Sequence, residues 1–260
     1  MIRLMFSLFL RSFCLLTLAS TVQARDLTLK TAQVGQHDTD VLDIAHQLER
    51  ISQSRDIDIW LLYDIEPHWS DEIANAIAIG SNSKIDFFPR NGGLDNRFLI
   101  VFKSEELRVK KLGKPLLNQY SAGDDLALVE FCDTRSRIQF STLLIHGSAH
   151  EYPSPYLESD LNDWARHAKH PLIAVGQFNV DRTSGSELEA TTSLQRIPFD
   201  TDKSAAVLQQ TGMMLSSTEA GRWLVDAEII RSPDSSALVD NEAPFVGKQI
   251  TPLVATFRLQ

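Results

Sequence analysis

Cysteine is scarce in this 260-residue chain, at Cys14 and Cys132 alone. Cys14 lies in an N-terminal stretch that reads as removable and has no small-residue lipobox directly ahead of it, so lipid attachment is not supported. A processed chain would keep one thiol and close no internal disulfide, so the fold is expected to rest on its core. Cys132 follows Val129, Glu130 and Phe131 and reads as a small buried core residue rather than a reactive thiol. Several familiar sites are missing as well. There is no Gly-rich loop ending in Lys-Ser or Lys-Thr, no Gly-x-Gly-x-x-Gly, no Gly-x-Ser-x-Gly and no paired-Cys motif, which sets aside the phosphate loops, nucleophile elbows and zinc sites those patterns build. Basic residues are outnumbered, 25 Lys and Arg against 34 Asp and Glu, for a net charge of -9.

The first 24 residues read as a secretory signal peptide. Arg3 and Arg11 make a positive n-region, residues 12–20 a short apolar core, and Val22-Gln23-Ala24 a small-residue cleavage site. Arg11 interrupts the apolar stretch well short of the ~20 residues that a spanning helix needs, and no later run is apolar enough to span a bilayer. A mature chain is therefore expected from residue 25, periplasmic or secreted, as one domain over residues 25–260. Removing Arg3 and Arg11 from the net charge of -9 leaves -11, which argues against extended nucleic acid and anionic lipid as partners. Arg108, Lys110, Lys111 and Lys114 run against that trend. They read as a solvated hairpin edge whose lysines block sheet-to-sheet pairing.

Taken in order, residues 26–35 alternate apolar and polar positions as a strand does. Asp38 or Thr39 could cap a helix carried by Val41, Leu42, Ala45, Leu48 and Ile51. Residues 57–65 form a near-continuous apolar run, the pattern of a strand buried on both faces. Trp69, Ile73, Ala76 and Ile77 then repeat at helical spacing, with Gly80 as the expected stop. Strands are expected at 84–88, 97–102, 126–131 and 137–145, the first two joined by an Asn91-Gly92-Gly93 turn. A helix over 156–167 leads into a strand beginning at Leu172. Residues 183–201 read as a surface loop, 203–210 as a short helix, and 222–230 and 251–259 as strands. Helix alternates with strand at both ends, with consecutive strands between. This order suits two sheets packed face to face with helices outside.

Polar residues gather at the expected strand ends: Gln33, Asp64, Glu66, His146, Gln177 and Asn179, with Gln249 ahead of the last strand. Taken singly, each is an ordinary place for a polar residue. His146 and His150 stand four apart, but they straddle Gly147 after a strand, so a metal pair is the minority reading. His167 and His170 flank a helix end, where a histidine can meet the dipole without binding anything.

As a series, these stretches resemble the motifs of the endonuclease/exonuclease/phosphatase superfamily. The matching segments are Thr31-Ala32-Gln33, Tyr63-Asp64-Ile65, Ile145-His146-Gly147, Gly176-Gln177-Phe178-Asn179 and Lys248-Gln249-Ile250-Thr251-Pro252, with residues 225–230 similar to the strand before the last motif. The resemblance covers essentially the whole mature chain. It implies a DNase I-like four-layer α/β sandwich, with two mixed β-sheets face to face and helices outside. It also implies a Mg²⁺ or Mn²⁺ ion, if the chain is active, at Asp64 or at Glu66, two residues on and on the same strand face by period two. His146 and Asn179 would contact phosphate.

The departures from that pattern decide the functional expectation. Gln33 stands where the superfamily has Asn, Gln177 where it has the Asp of Gly-Asp-Phe-Asn, and Gln249 and Ile250 where it has a closing Asp-His pair. Neither amide nor isoleucine can accept a proton, and general acid-base groups contribute ~10²–10⁴-fold each. Asp234 or Asp240 is the alternative source of the last acid. The leading expectation is a catalytically degenerate domain, a pseudoenzyme that binds a protein or a small phosphate-containing ligand as an accessory module and needs no cofactor. The alternatives are a divalent-metal-dependent phosphoesterase or nuclease with a rearranged site, and a structural subunit of a cell-envelope complex.

Overall fold

A computed structural model describes residues 24–34, 40–88, 98–113, 126–146, 154–177, 194–198, 213–229 and 252–259. Its elements are β1 (Arg25–Gln33), α1 (Val41–Ser54), β2 (Ile59–Tyr63), a 3-10 turn (Pro67–Trp69), α2 (Ser70–Ser81), β3 (Ile85–Phe88), β4 (Phe98–Lys103), β5 (Leu107–Gly113), β6 (Leu126–Asp133), β7 (Gln139–His146), α3 (Ser154–His167), β8 (Leu172–Gln177), β9 (Leu194–Arg196), β10 (Met213–Ser217), α4 (Thr218–Gly221), β11 (Leu224–Ile229) and β12 (Leu253–Leu259).

They build two six-stranded sheets, ordered β11-β12-β1-β2-β4-β3 and β5-β6-β7-β8-β10-β9. Each has one parallel pair at its centre, β1 with β2 and β7 with β8, and antiparallel neighbours elsewhere. Side chains alternate across each strand, and this sorts the core into three layers. Leu27 and Leu29 of β1, Ile59, Leu61 and Tyr63 of β2, Phe131 of β6, Phe140 and Leu144 of β7 and Ile173 and Val175 of β8 meet between the sheets. On the back of the first sheet, Trp60 and Leu62 pack against Ile44 and Leu48 of α1 and Ile73, Ala74 and Ile77 of α2. On the back of the second, Leu143, Ile145 and Ala174 meet Leu161 of α3. The four-layer sandwich expected from the sequence is the observed architecture, and the continuous apolar run in β2 follows from its burial on both faces.

The cap of α1 is Asp40, whose carboxylate accepts from the Leu42 N–H at 3.0 Å; the sequence had pointed to Asp38 or Thr39. Gly80 does not stop α2. It lies inside the helix, where an added Cβ would sit 2.3 Å from the Glu49 carbonyl oxygen of α1. Its small size lets the two helices approach, and Asn82, left-handed at φ 47°, ends the helix. Residues 194–196, read as loop, pair as β9 with β10, and β10 itself carried no strand assignment. The turn at 91–93 and the helix at 203–210 lie outside the described residues, while the strands flanking that turn do pair as β3 and β4.

One ionic cluster bridges the two sheets at one end. Arg25, the first residue of β1, is 10% exposed and bonds Asp58 at 2.6 Å, Glu106 and Asp133. Asp58 immediately precedes β2, Glu106 lies in the turn between β4 and β5, and Asp133 ends β6 just before the turn into β7. Lys103 adds a second cation, 3.5 Å from Asp58 and bonded to Asp56. Both sheets are thus pinned at the end where β1, β2 and β7 start.

Candidate functional site

Because β1, β2 and β7 start at the pinned end and β8 runs parallel to β7, all four strands deliver their C-terminal residues to the opposite rim. Gln33 pairs with Tyr63 in one sheet, and His146 pairs with Gln177 in the other. Across the sandwich β1 faces β8 and β2 faces β7. The backbone therefore brings Gln33, Tyr63, Asp64, His146 and Gln177 to one end of the two central strand pairs. Strand carboxyl ends are where open α/β sheets place their ligands. Asn179, Gln249, Ile250 and His150 lie outside the described residues, as do Asp234 and Asp240.

The rim is shaped by two unusual backbone positions. Gly176 has φ 133°, and a Cβ there would lie 1.8 Å from the Ile145 carbonyl oxygen. Only glycine can occupy that point of β8, so this residue of the Gly-Gln-Phe-Asn frame is required by backbone packing whatever chemistry follows it. Asp64 has φ 61°, a left-handed conformation for a non-glycine residue. It ends β2 at Tyr63 and turns the chain toward the 3-10 turn at Pro67. The period-two argument that put Glu66 on the same face as Asp64 fails for this reason. Glu66 is exposed and precedes the turn without capping it through its side chain.

Tyr63 was not among the expected site residues. Its side chain belongs to the inter-sheet core, fully buried on the strand position that pairs with Gln33. Burial, and secondarily the neighbouring Asp64 charge, push its phenol well above the ordinary tyrosine range. It is a neutral hydroxyl at any ordinary pH, able to hydrogen-bond but not to act as a base. The apolar run of β2 carries no alternation to mark it; the structure places Ile59, Leu61 and Tyr63 on the inner face. His167 behaves as its helix-end position suggested, with Nδ1 2.7 Å from the Asp163 carbonyl oxygen in the last turn of α3.

No protein-family model and no curated protein sequence matches the chain. Solved structures do. An endonuclease/exonuclease/phosphatase family protein from Bacteroides thetaiotaomicron superposes with a TM-score of 0.64 at 13% identity, over 92% of this chain and 99% of that one. The chain has the endonuclease/exonuclease/phosphatase fold. A mannosyl-6-phosphatase from the same organism gives a TM-score of 0.61 at 14% identity, over 87% and 98% of the two chains. TDP2 of D. rerio, complexed with a single-strand DNA product, gives 0.63 at 14% identity, over 89% and 98%.

Among the described residues no three His, Cys, Asp or Glu side chains gather as a metal site. A hard divalent cation can be held by one or two carboxylates with water completing its shell. Of the expected ligands, Asp64 supplies one carboxylate at this rim.

Proposed function

We propose that this chain is an exported domain of the endonuclease/exonuclease/phosphatase fold that binds a phosphate-bearing ligand at the rim without hydrolysing it. Gln177 carries the reading. β8 ends on an amide beside His146, where the fold's resemblance motifs have a carboxylate, and an amide hydrogen-bonds phosphate but cannot activate water. Support for the ligand class comes from the neighbours, one named as a phosphatase and one complexed with DNA. The net charge of -9 favours a small phosphate ester over a long nucleic acid. Among the described residues no helix is long and apolar enough to cross a membrane.

Two measurements test this. Isothermal calorimetry with inorganic phosphate and mannose-6-phosphate should show binding that His146→Ala weakens by about tenfold or more, while p-nitrophenyl phosphate and its diester are not turned over with Mg²⁺ or Mn²⁺. Metal-dependent turnover lost in His146→Ala would sink the proposal. For export, N-terminal sequencing of protein recovered outside the cytoplasm should begin at Arg25.

The backbone of Asp64 favours a second reading. Left-handed non-glycine residues concentrate at functional sites, and in a working phosphoesterase Asp64 would hold a Mg²⁺ or Mn²⁺ ion that neutralises charge developing on phosphate. That reading requires millimolar or tighter cation binding by calorimetry, abolished in Asp64→Ala. Absence of such binding in the native protein removes it.

A further inference from the structure

Arg108, Lys110 and Lys111 of the basic stretch lie on β5, the outermost strand of the second sheet, which among the described residues pairs only with β6; Lys114 lies outside the described residues. The seven residues of β5 divide by face. Val109 pairs with Phe131 and Leu112 with Val129, both partners lying in the inter-sheet core, so Val109 and Leu112 stand on the inner face at its open margin. They are 37% and 36% exposed, two of the five large apolar side chains so exposed among the described residues. Arg108 pairs with Cys132 and Lys111 with Glu130, on the opposite face, and Lys110 is the extra residue of a bulge. All three cations are exposed. The Glu130 carboxylate is 3.9 Å from Lys111, whose side chain remains 67% exposed.

Lysines and a bulge are common protection for an edge strand. Protection alone gives no reason to leave apolar side chains uncovered along the same edge. A second copy of β5 would set cation against cation, and anionic lipid or nucleic acid would gain nothing from the backbone edge or the inner apolar face. We propose that β5 is a docking edge for an extended segment of a partner protein in which acidic and apolar residues alternate. Its backbone would add a strand to the sheet. Its apolar residues would continue the inter-sheet core over Val109 and Leu112, and its carboxylates would meet Arg108 and Lys111. The cations that exclude self-pairing then select the partner. This surface is separate from the rim and stands or falls independently of phosphate binding.

The probe is a fluorescently labelled eight-residue peptide alternating Glu and Val, measured by anisotropy against the full-length protein, with a Lys-Val peptide as the reversed-charge control. The Glu-Val peptide should bind and the Lys-Val peptide should not. Arg108→Glu with Lys111→Glu should weaken binding by about tenfold or more, and Leu112→Ser by severalfold. Hydrogen exchange at β5 amides should slow on binding, which checks the strand-addition geometry in the native protein should a variant fold poorly. His146→Ala should bind the peptide normally, separating this result from any failure of the phosphate reading. Equal binding of both peptides, no binding at millimolar peptide, insensitivity to the β5 substitutions, or β5-dependent binding of phosphatidylglycerol vesicles or single-stranded DNA in place of peptide would each overturn the proposal.

Discussion

Lys30 is the least expected single residue in the core. It is 0% exposed on β1, its side chain makes no hydrogen bond, and its ammonium nitrogen stands 4.5 Å from the centre of the Trp60 ring, whose indole N–H is also unpartnered. Burial first, and then the positive charge of Arg55, push its pKa from 10.5 down to about 6. Between those values the unfolded chain binds a proton that the native protein does not, so stability rises with pH across that window. The lysine therefore opposes folding at neutral pH. Lys30→Met is expected to raise unfolding stability by ~3 kcal/mol at pH 7 in urea titrations. It should also flatten the rise in stability between pH 6 and 10. Unchanged stability in the variant would mean that the amine is already hydrated in the native state.

At the scale of the element, the end of β8 matters most, because its backbone and its chemistry have separate causes. Gly176 is forced by the approach of the Ile145 carbonyl and by φ 133°, while nothing in backbone geometry calls for an amide at the next position. Gly176→Ala should destabilise the protein by ~3 kcal/mol or more, read from the urea midpoint, since both strain and a backbone clash are introduced. Gln177→Asp should cost far less. Its effect belongs to the site, where it would restore the carboxylate that the resemblance motif carries. A comparable loss of stability in the two variants would contradict this separation.

Across the whole molecule, the Arg25 cluster ties the two sheets together at one end of the apolar layer between them. Asp133 illustrates its economy of contacts. Burial pushes its carboxyl up, but the Ser136 N–H and hydroxyl and the Arg25 guanidinium outweigh that and hold it below its ordinary 3.8. Such a group contributes stability that is present above its unfolded pKa and lost as pH falls through the folded one. Cooperative acid unfolding is therefore expected below about pH 4, and circular dichroism would follow it. Arg25→Ala leaves the fully buried Asp133 carboxylate short of its cation and should cost ~3–5 kcal/mol. A variant as stable as the native protein would show that the sheets are held by apolar packing alone.

Much of this architecture was legible in the sequence because burial leaves a local trace. Period-two and period-3.6 patterns marked β1, α1 and α2, and the continuous apolar run of β2 announced a strand covered on both sides. That position 177 carries a side chain unable to ionise was also set by sequence alone. Tertiary structure decided what depends on residues far apart in the chain. Arg25 and Asp133 are 108 positions apart, Gly80 is explained only by the Glu49 carbonyl of another helix, and β9 is a strand because β10 lies beside it. Asp64 belongs to the same class. Its left-handed turn broke the alternation on which the placement of Glu66 relied. Local sequence encodes which face of an element is apolar; it does not encode which distant backbone that face will meet.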